Sequence, residues 1–289
     1  MLFIMILCDF NKLIFILPHM MKTILLLFFY ILLLYGEKNT LHIGYLSTEN
    51  SEILQQKLSP FVAYLEAKTG FKVHLSAGHD YQDAIDKISE ESFDIAFLGP
   101  VPYIKAKEKN PALEIVATLN NADSEDFESV IFVKEGSPVT SLQELKGKTF
   151  AFGSKESTLS YYVPMYLLKQ ENVDTALKRF DFLGRHDRVA QYVIMGKYDA
   201  GSIKNSVARK YAPYIRVIKR SKQYENFLFV ASSHLDKTLF EKIRHAILSL
   251  EDTTILQGFD NKASGFTLKE DKDYDALRKL VHEVESLQR

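Results

Sequence analysis

The sequence is short of cysteine, of net charge, of metal-ligand spacings and, beyond its first residues, of long apolar runs. One cysteine, Cys8, stands in 289 residues, so no internal disulfide framework and no thiolate metal site can form. A formal net charge of −1 gives no electrostatic case for nucleic acid or an acidic surface as partner. No zinc, calcium or P-loop spacing occurs, so no metal and no cofactor is expected. No repeats or low-complexity tracts interrupt the chain. His42, His74, His79 and His234 have no partner at metal-ligand spacing.

What is present is enough apolar content, 46%, for a substantial core, in a chain long enough for more than one lobe. Residues 1–36 differ in kind. Met21-Lys22 precedes the apolar run Thr23 to Gly36, a charged start and an h-region too short to span comfortably. This predicts a signal peptide over 1–36, with an uncleaved anchor as the alternative because Leu34 and Gly36 make a poor cleavage site. Residues 1–20 hold a second apolar run, so Met20 or Met21 competes with Met1 as the start. The remainder reads as an exported, periplasmic body.

From Leu41 the pattern alternates. Strands are predicted at Leu41–Tyr45, Phe71–Leu75 and Phe93–Leu98, with a helix begun by Ser59-Pro60 and ended by Gly70. A second helix, capped by Asp80, carries Tyr81, Ala84, Ile85 and Ile88 on one face. After Gly99-Pro100, read as a turn, one strand and an acidic loop at 123–128 lead to Ser129–Val133. A second series follows: a capping box at Ser141–Glu144 stopped by Gly147, then strands at Phe150–Phe152, Phe180–Leu183, Tyr198–Ile203, Tyr214–Ile218 and Phe227–Ala231. Helices intervene, Pro164 starts or kinks one of them, and two amphipathic helices at 235–250 and 273–287 close the chain. This is an α/β grammar of two open, mostly parallel sheets. The lobes are expected over 37–130 with 232–289, and over 131–231, with a ligand cleft between them outside the carboxyl ends of strands.

The central stretch is Phe150 to Pro164, a buried strand, a small-residue turn and hydroxyls at a helix mouth. Ser157 and Thr158 stand where helix amides are unpaired and the dipole is positive. They are either a plain N-cap or the donors of an oxyanion site.

Asp94-Ile-Ala-Phe-Leu-Gly-Pro-Val-Pro-Tyr-Ile-Lys-Ala106, Ser141 to Phe152, Ser157-Thr158, and His186-Asp187 with Gly196-Lys-Tyr-Asp-Ala-Gly201 occur in one order. The set resembles the phosphate/phosphite/phosphonate-binding (PhnD-like) family of ABC-transporter substrate-binding proteins, from about Leu41 to the carboxyl end. The resemblance implies a two-lobed periplasmic-binding-protein fold of type II, a small oxyanion ligand, an ABC permease as partner and a monomer. It also implies that Ser157 and Thr158 hold the anion, that Tyr81 is a cleft tyrosine and that His186 donates from the Ser-Thr lobe. Taken alone, Tyr81 reads equally as a core residue and His186 as a capping one.

Where the family usually has Asp-Pro-x-Ser-Thr-Ser-Gly, this chain has Ser154-Lys155-Glu156-Ser157-Thr158-Leu159-Ser160. Leu159 replaces the third hydroxyl, and Ser160 replaces the glycine, its own hydroxyl either a substitute donor or inert. Lys204, where aminophosphonate binders can carry an acid, would repel an ammonium and attract an anion. The expected function is therefore capture of phosphate, phosphite or a phosphonate for import. The alternative is a sensor working through a separate histidine kinase or chemoreceptor. Catalysis is not expected: Gly-x-Ser-x-Gly is absent, and adjacency to His186 in sequence does not make Asp187 an orienting carboxylate.

Overall fold

Alternating burial along Thr40–Tyr45, with Leu41 and Ile43 inside, makes β1. The computed structural model describes residues 40–46, 51–122 and 127–286. The expected signal segment and most of the acidic loop lie outside the described residues.

Helix α1 (Ser51–Thr69) starts well before the expected Ser59 and runs through Pro60. Proline cannot supply the amide that would bond the Gln56 carbonyl; the Ser59 hydroxyl donates to that carbonyl instead, at 2.8 Å. Gly70, at φ +79°, ends the helix. After β2 (Lys72–Ala77), α2 (Tyr81–Ser89) is capped by Asp80, whose carboxylate accepts from the Asp83 amide at 2.9 Å. Its Tyr81, Ala84, Ile85 and Ile88 are buried, as the spacing predicts. Beyond β3 (Ile95–Leu98), Gly99-Pro100 is not a free turn. It is the cap and first residue of α3 (Pro100–Lys109), a place suited to proline's fixed φ.

The chain continues through β4 (Glu114–Asn121), β5 (Ser129–Lys134) and β6 (Thr149–Phe152). Between β5 and β6 the expected helix is a single 3₁₀ turn, Gln143–Leu145. A π-helical turn, Thr158–Tyr162, leads into α4 (Val163–Gln170) with Pro164 in its first turn. Then come β7 (Arg179–Phe182), α5 (His186–Ile194), β8 (Ala200–Lys204), α6 (Asn205–Lys210) and β9 (Ile215–Arg220). The last elements are β10 (Leu228–Ala231), α7 (Lys237–Leu248), α8 (Thr253–Leu256), β11 (Ala263–Thr267) and α9 (Asp275–Glu285).

Two sheets result, a six-stranded one ordered β11-β4-β10-β3-β1-β2 and a five-stranded one ordered β7-β6-β8-β5-β9. β1 runs parallel to β3, and β6 parallel to both β7 and β8. The expected boundaries shift here. β5 already belongs to the second sheet at Ser129. β10, expected in the second lobe, pairs antiparallel with β3 and β4 of the first. The crossings therefore fall between β4 and β5 and between β9 and β10.

Phe61, Leu65, Phe229 and Ile243 fill the outer layer of the six-stranded sheet; Val130, Phe132, Val189 and Val193 fill that of the five-stranded one. The third apolar cluster is shared. Leu98, Tyr103 and Ile104 from the first half meet Ile131, Phe150, Val163 and Leu168 from the second, and α9 adds Leu280 and Val281. Lys105 binds Glu156 at 2.5 Å and Glu285 at 3.0 Å at the same junction. This common back leaves the carboxyl ends of β1, β3, β6 and β8 to open on one cleft.

Candidate functional site

The end of β6 delivers Ser157 as the cap of the Thr158–Tyr162 turn, its hydroxyl oxygen accepting from the Ser160 amide at 3.1 Å. The amides of Tyr162 and Val163 reach back five residues, to Ser157 and Thr158. Such widened turns are frequent at functional sites. The amides of Thr158 and Leu159, first in the helix, have no intrahelical acceptor.

Two side chains converge on Ser157. Tyr81, first residue of α2, hydrogen-bonds it from the six-stranded half; burial pushes the phenol up to about 12, so it stays protonated. His186, first residue of α5, brings Nε2 to 3.4 Å from Ser157 Oγ. Its Nδ1 accepts the Lys204 amide at 2.9 Å, which assigns the ring proton to Nε2. Burial pulls the imidazole down to about 4, with the Lys204 charge acting the same way and Asp187 opposing. At neutral pH His186 is thus an uncharged donor aimed into the cleft.

Thr158 reaches across. Its Oγ1 accepts the Val101 amide at 3.0 Å, so a side chain of one half caps α3 of the other, whose own cap residue is Gly99. Its hydroxyl proton is left to donate. Tyr81, Gly99, Ser157 and His186, each at the mouth of a different helix, line one cleft of about 620 Å³. Positive helix ends whose first residues or caps line one cleft favour an anion there. Around them the cleft wall carries six basic side chains, Lys57, Arg185, Lys204, Arg209, Lys210 and Lys262, against the acidic Asp187 and Asp260. The chain's near-zero net charge conceals this local field.

Ser160 and Lys204 stand differently from expectation. The Ser160 hydroxyl is fully buried; it accepts the Gly153 amide at 2.8 Å and donates to the Ser202 carbonyl. It pins β6 to β8 and does not line the cleft. Lys204 does line it, but its ammonium binds Asp260 at 2.8 Å, both side chains largely buried. An anion would therefore meet an already neutralised lysine. Asp260 lies in the loop before β11, so the pair spans the two sheets. The sequence reading missed Asp260 and the cleft aromatics Phe97, Phe127, Phe227 and Phe259. Only the unusual phenylalanine density near Asn226-Phe-Leu-Phe and Gly258-Phe-Asp hinted at them. Among the described residues no group of side chains has metal-ligand geometry, and no helix is long and apolar enough to cross a membrane.

The sequence model of the family described as "ABC transporter, phosphonate, periplasmic substrate-binding protein" matches residues 43–274. The chain belongs to that family. It is 23% identical to the probable ABC transporter phosphite binding protein PhnD1 of Prochlorococcus marinus, over 88% of this chain and 92% of that one. The structure of that protein, in complex with methylphosphonate, superposes with a TM-score of 0.78 at 22% identity, covering 86% of this chain and 98% of that one. A binding-protein component of an ABC phosphonate transporter from Pseudomonas aeruginosa gives 0.77 at 23% identity, covering 86% and 87%. The fold is accordingly the two-lobed periplasmic-binding-protein type. As a member of the family, the chain is an exported substrate-binding component that works with a membrane permease, not an enzyme.

Proposed function

We propose that the chain captures a phosphorus oxyanion at the meeting of the four helix mouths and hands it to its permease. The observation that carries this reading is the Tyr81–Ser157–His186 cluster beside Thr158. It consists of neutral, correctly protonated donors contributed by both halves of the molecule. In this reading Ser157, Thr158, Tyr81 and His186 donate to the anion's oxygens, and the amides of Thr158 and Leu159 supply the dipole. Lys204 acts at longer range through its pair with Asp260. Ser160 contributes support only. The methylphosphonate held by the Prochlorococcus relative is the kind of head group that fits this donor set.

Closure follows from the geometry. A ligand touching Tyr81 and Gly99 on one side and Ser157, Thr158 and His186 on the other binds the closed state better than the open one, and that difference is what drives closing. The protein acts as a monomer, exported through residues 1–36, which remain as a tether where they are not removed.

The test is a thermal-shift and calorimetric panel on residues 37–289 with phosphate, phosphite, methylphosphonate, 2-aminoethylphosphonate, sulfate and a sulfonate. At about a hundredfold excess over Kd, a true ligand stabilises the fold by about 2.7 kcal/mol. The shift should come from a phosphorus oxyanion and be lost when Ser157→Ala and Thr158→Ala are combined. A response to sulfate or the sulfonate alone refutes the reading.

A further inference from the structure

The cleft extends beyond the donor cluster, and its far wall is aromatic. Clefts of roughly 300–1,000 Å³ enclose ligands of drug size, and this one, at about 620 Å³, falls within that range. One wall is a run of rings. Phe97 lies 5.3 Å from Phe227 and 5.1 Å from Phe259, and Phe127 stands edge-on to Phe227 at 5.8 Å. Phe97, Phe227 and Phe259 are partly exposed, which leaves apolar faces wet inside a concave site.

The wall is continuous with the anion site through Gly99. A Cβ built there would lie 3.6 Å from Phe227 Cζ and 3.7 Å from Thr158 Oγ1. The ring edge and the hydroxyl thus flank one small gap that glycine leaves open. A ligand whose head sits on Thr158 and Ser157 would direct its substituent past Gly99 and along the rings. Opposite polarity at the two ends of one cleft, donors at one and ring faces at the other, matches an amphiphilic ligand.

Resting on the function proposed above, we infer that the solute is an organic phosphonate or phosphomonoester with a single flat, apolar substituent. Its head is held by the helix mouths and its arm is laid on Phe97, Phe227 and Phe259. Neither inorganic phosphate nor phosphite would use that wall.

Isothermal titration of the protein with phosphate, methylphosphonate, benzylphosphonate and phenyl phosphate tests this. The aryl ligands should bind about ten- to a hundredfold tighter than methylphosphonate, the gain expected from covering one ring. Benzylphosphonate against phenyl phosphate decides whether the link to phosphorus is carbon or oxygen. Phe97→Leu and Phe227→Leu, which keep the wall apolar and the fold filled, should each cut the aryl-to-methyl affinity ratio about fivefold or more. The inference is overturned if phosphate or methylphosphonate binds as tightly as both aryl ligands, or if the leucine variants leave that ratio unchanged. Failure of every phosphorus compound to bind instead overturns the receptor reading beneath it.

Discussion

Replacing Lys204 with methionine removes one partner of an ion pair that joins the two halves of the molecule. The pair measures 2.8 Å, with side chains 15% and 12% exposed, so little water is available to compensate the survivor. Breaking such a pair costs about 3–5 kcal/mol when the remaining charge is isolated. Asp260 keeps a further donor, the Lys262 amide at 3.1 Å, which places the expected loss at or below the lower end of that range, about 2–3 kcal/mol. For a chain of this size that is a fall in Tm of about 5–10 °C. The double variant Lys204→Met with Asp260→Asn leaves no charge behind, and the carboxamide oxygen it introduces can still accept from the Lys262 amide. It should recover most of the loss, since a buried pair replaced as a unit is often neutral.

The pH dependence has a defined sign. Burial works to raise the Asp260 carboxyl, but the Lys204 charge and hydrogen bond outweigh it, so the folded pKa lies below the ordinary value. The pair's contribution is therefore complete above the ordinary carboxylate range and is lost as pH falls through the folded value. Urea denaturation of the wild type, both single variants and the double completes a thermodynamic cycle. A Lys204→Met variant within about 0.5 kcal/mol of wild type, or a double variant no more stable than that single, refutes the reasoning.

Ser160→Ala should take the hydroxyl donor from the Ser202 carbonyl and leave the buried Gly153 amide only its longer bond to the Ser160 carbonyl, at 3.3 Å, costing about 1–3 kcal/mol, while the ligand-induced Tm shift survives. A tenfold loss of affinity with Tm unchanged would return Ser160 to the binding set. His186 is neutral in the folded protein down to about pH 4 but protonates near its ordinary value of about 6.5 when unfolded. The unfolded state then binds the extra proton, so stability should rise with pH between about 4 and 6.5, by roughly 3 kcal/mol at most. His186→Gln should flatten that slope in denaturation at several pH values; an unchanged slope places the dependence elsewhere.

The succession of strands and helices was legible because its signals are local: Asp80 before a buried face at 81, 84, 85 and 88, or glycines at positive φ after Thr69 and Met195. Errors arose where the deciding contact is distant or the local signal is ambiguous. Pro60 looks like a helix start because the serine before it looks like a cap, whereas Ser59 in fact serves the carbonyl that proline cannot reach. β11 was hidden by polar residues and by Gly265, whose φ of +135° accompanies a register shift against β4. β10, expected in the second lobe, pairs with β3 and β4, and an isolated apolar run does not say which neighbours it pairs with. At the site, Ser157 could be seen as a cap from sequence, but the direction of Ser160 could not. The π turn rotates everything after it relative to ordinary helical spacing. The partner of Lys204 lies 56 residues away and belongs to the other sheet.

The charges around the cleft are sorted in a way that bears on what a transport receptor must do. Lys204 is held by Asp260 and Arg185 by Asp187, so those basic groups reach an anion only as paired charges. At the centre of the proposed site, attraction would come from helix mouths and from uncharged hydroxyl, phenol and imidazole donors. A full counter-charge desolvated against a phosphonate would make a strong bond, and a costly one to break. Neutral donors and partial helix charges give direction and selectivity without that commitment. The low pKa of His186 serves the same end. Because the ring is already neutral with its proton on Nε2, binding near neutral pH requires no proton uptake by this histidine, and neither does release. The proposed site, assembled from both halves and with Lys204 and Arg185 already paired, would therefore close on its ligand and still open again.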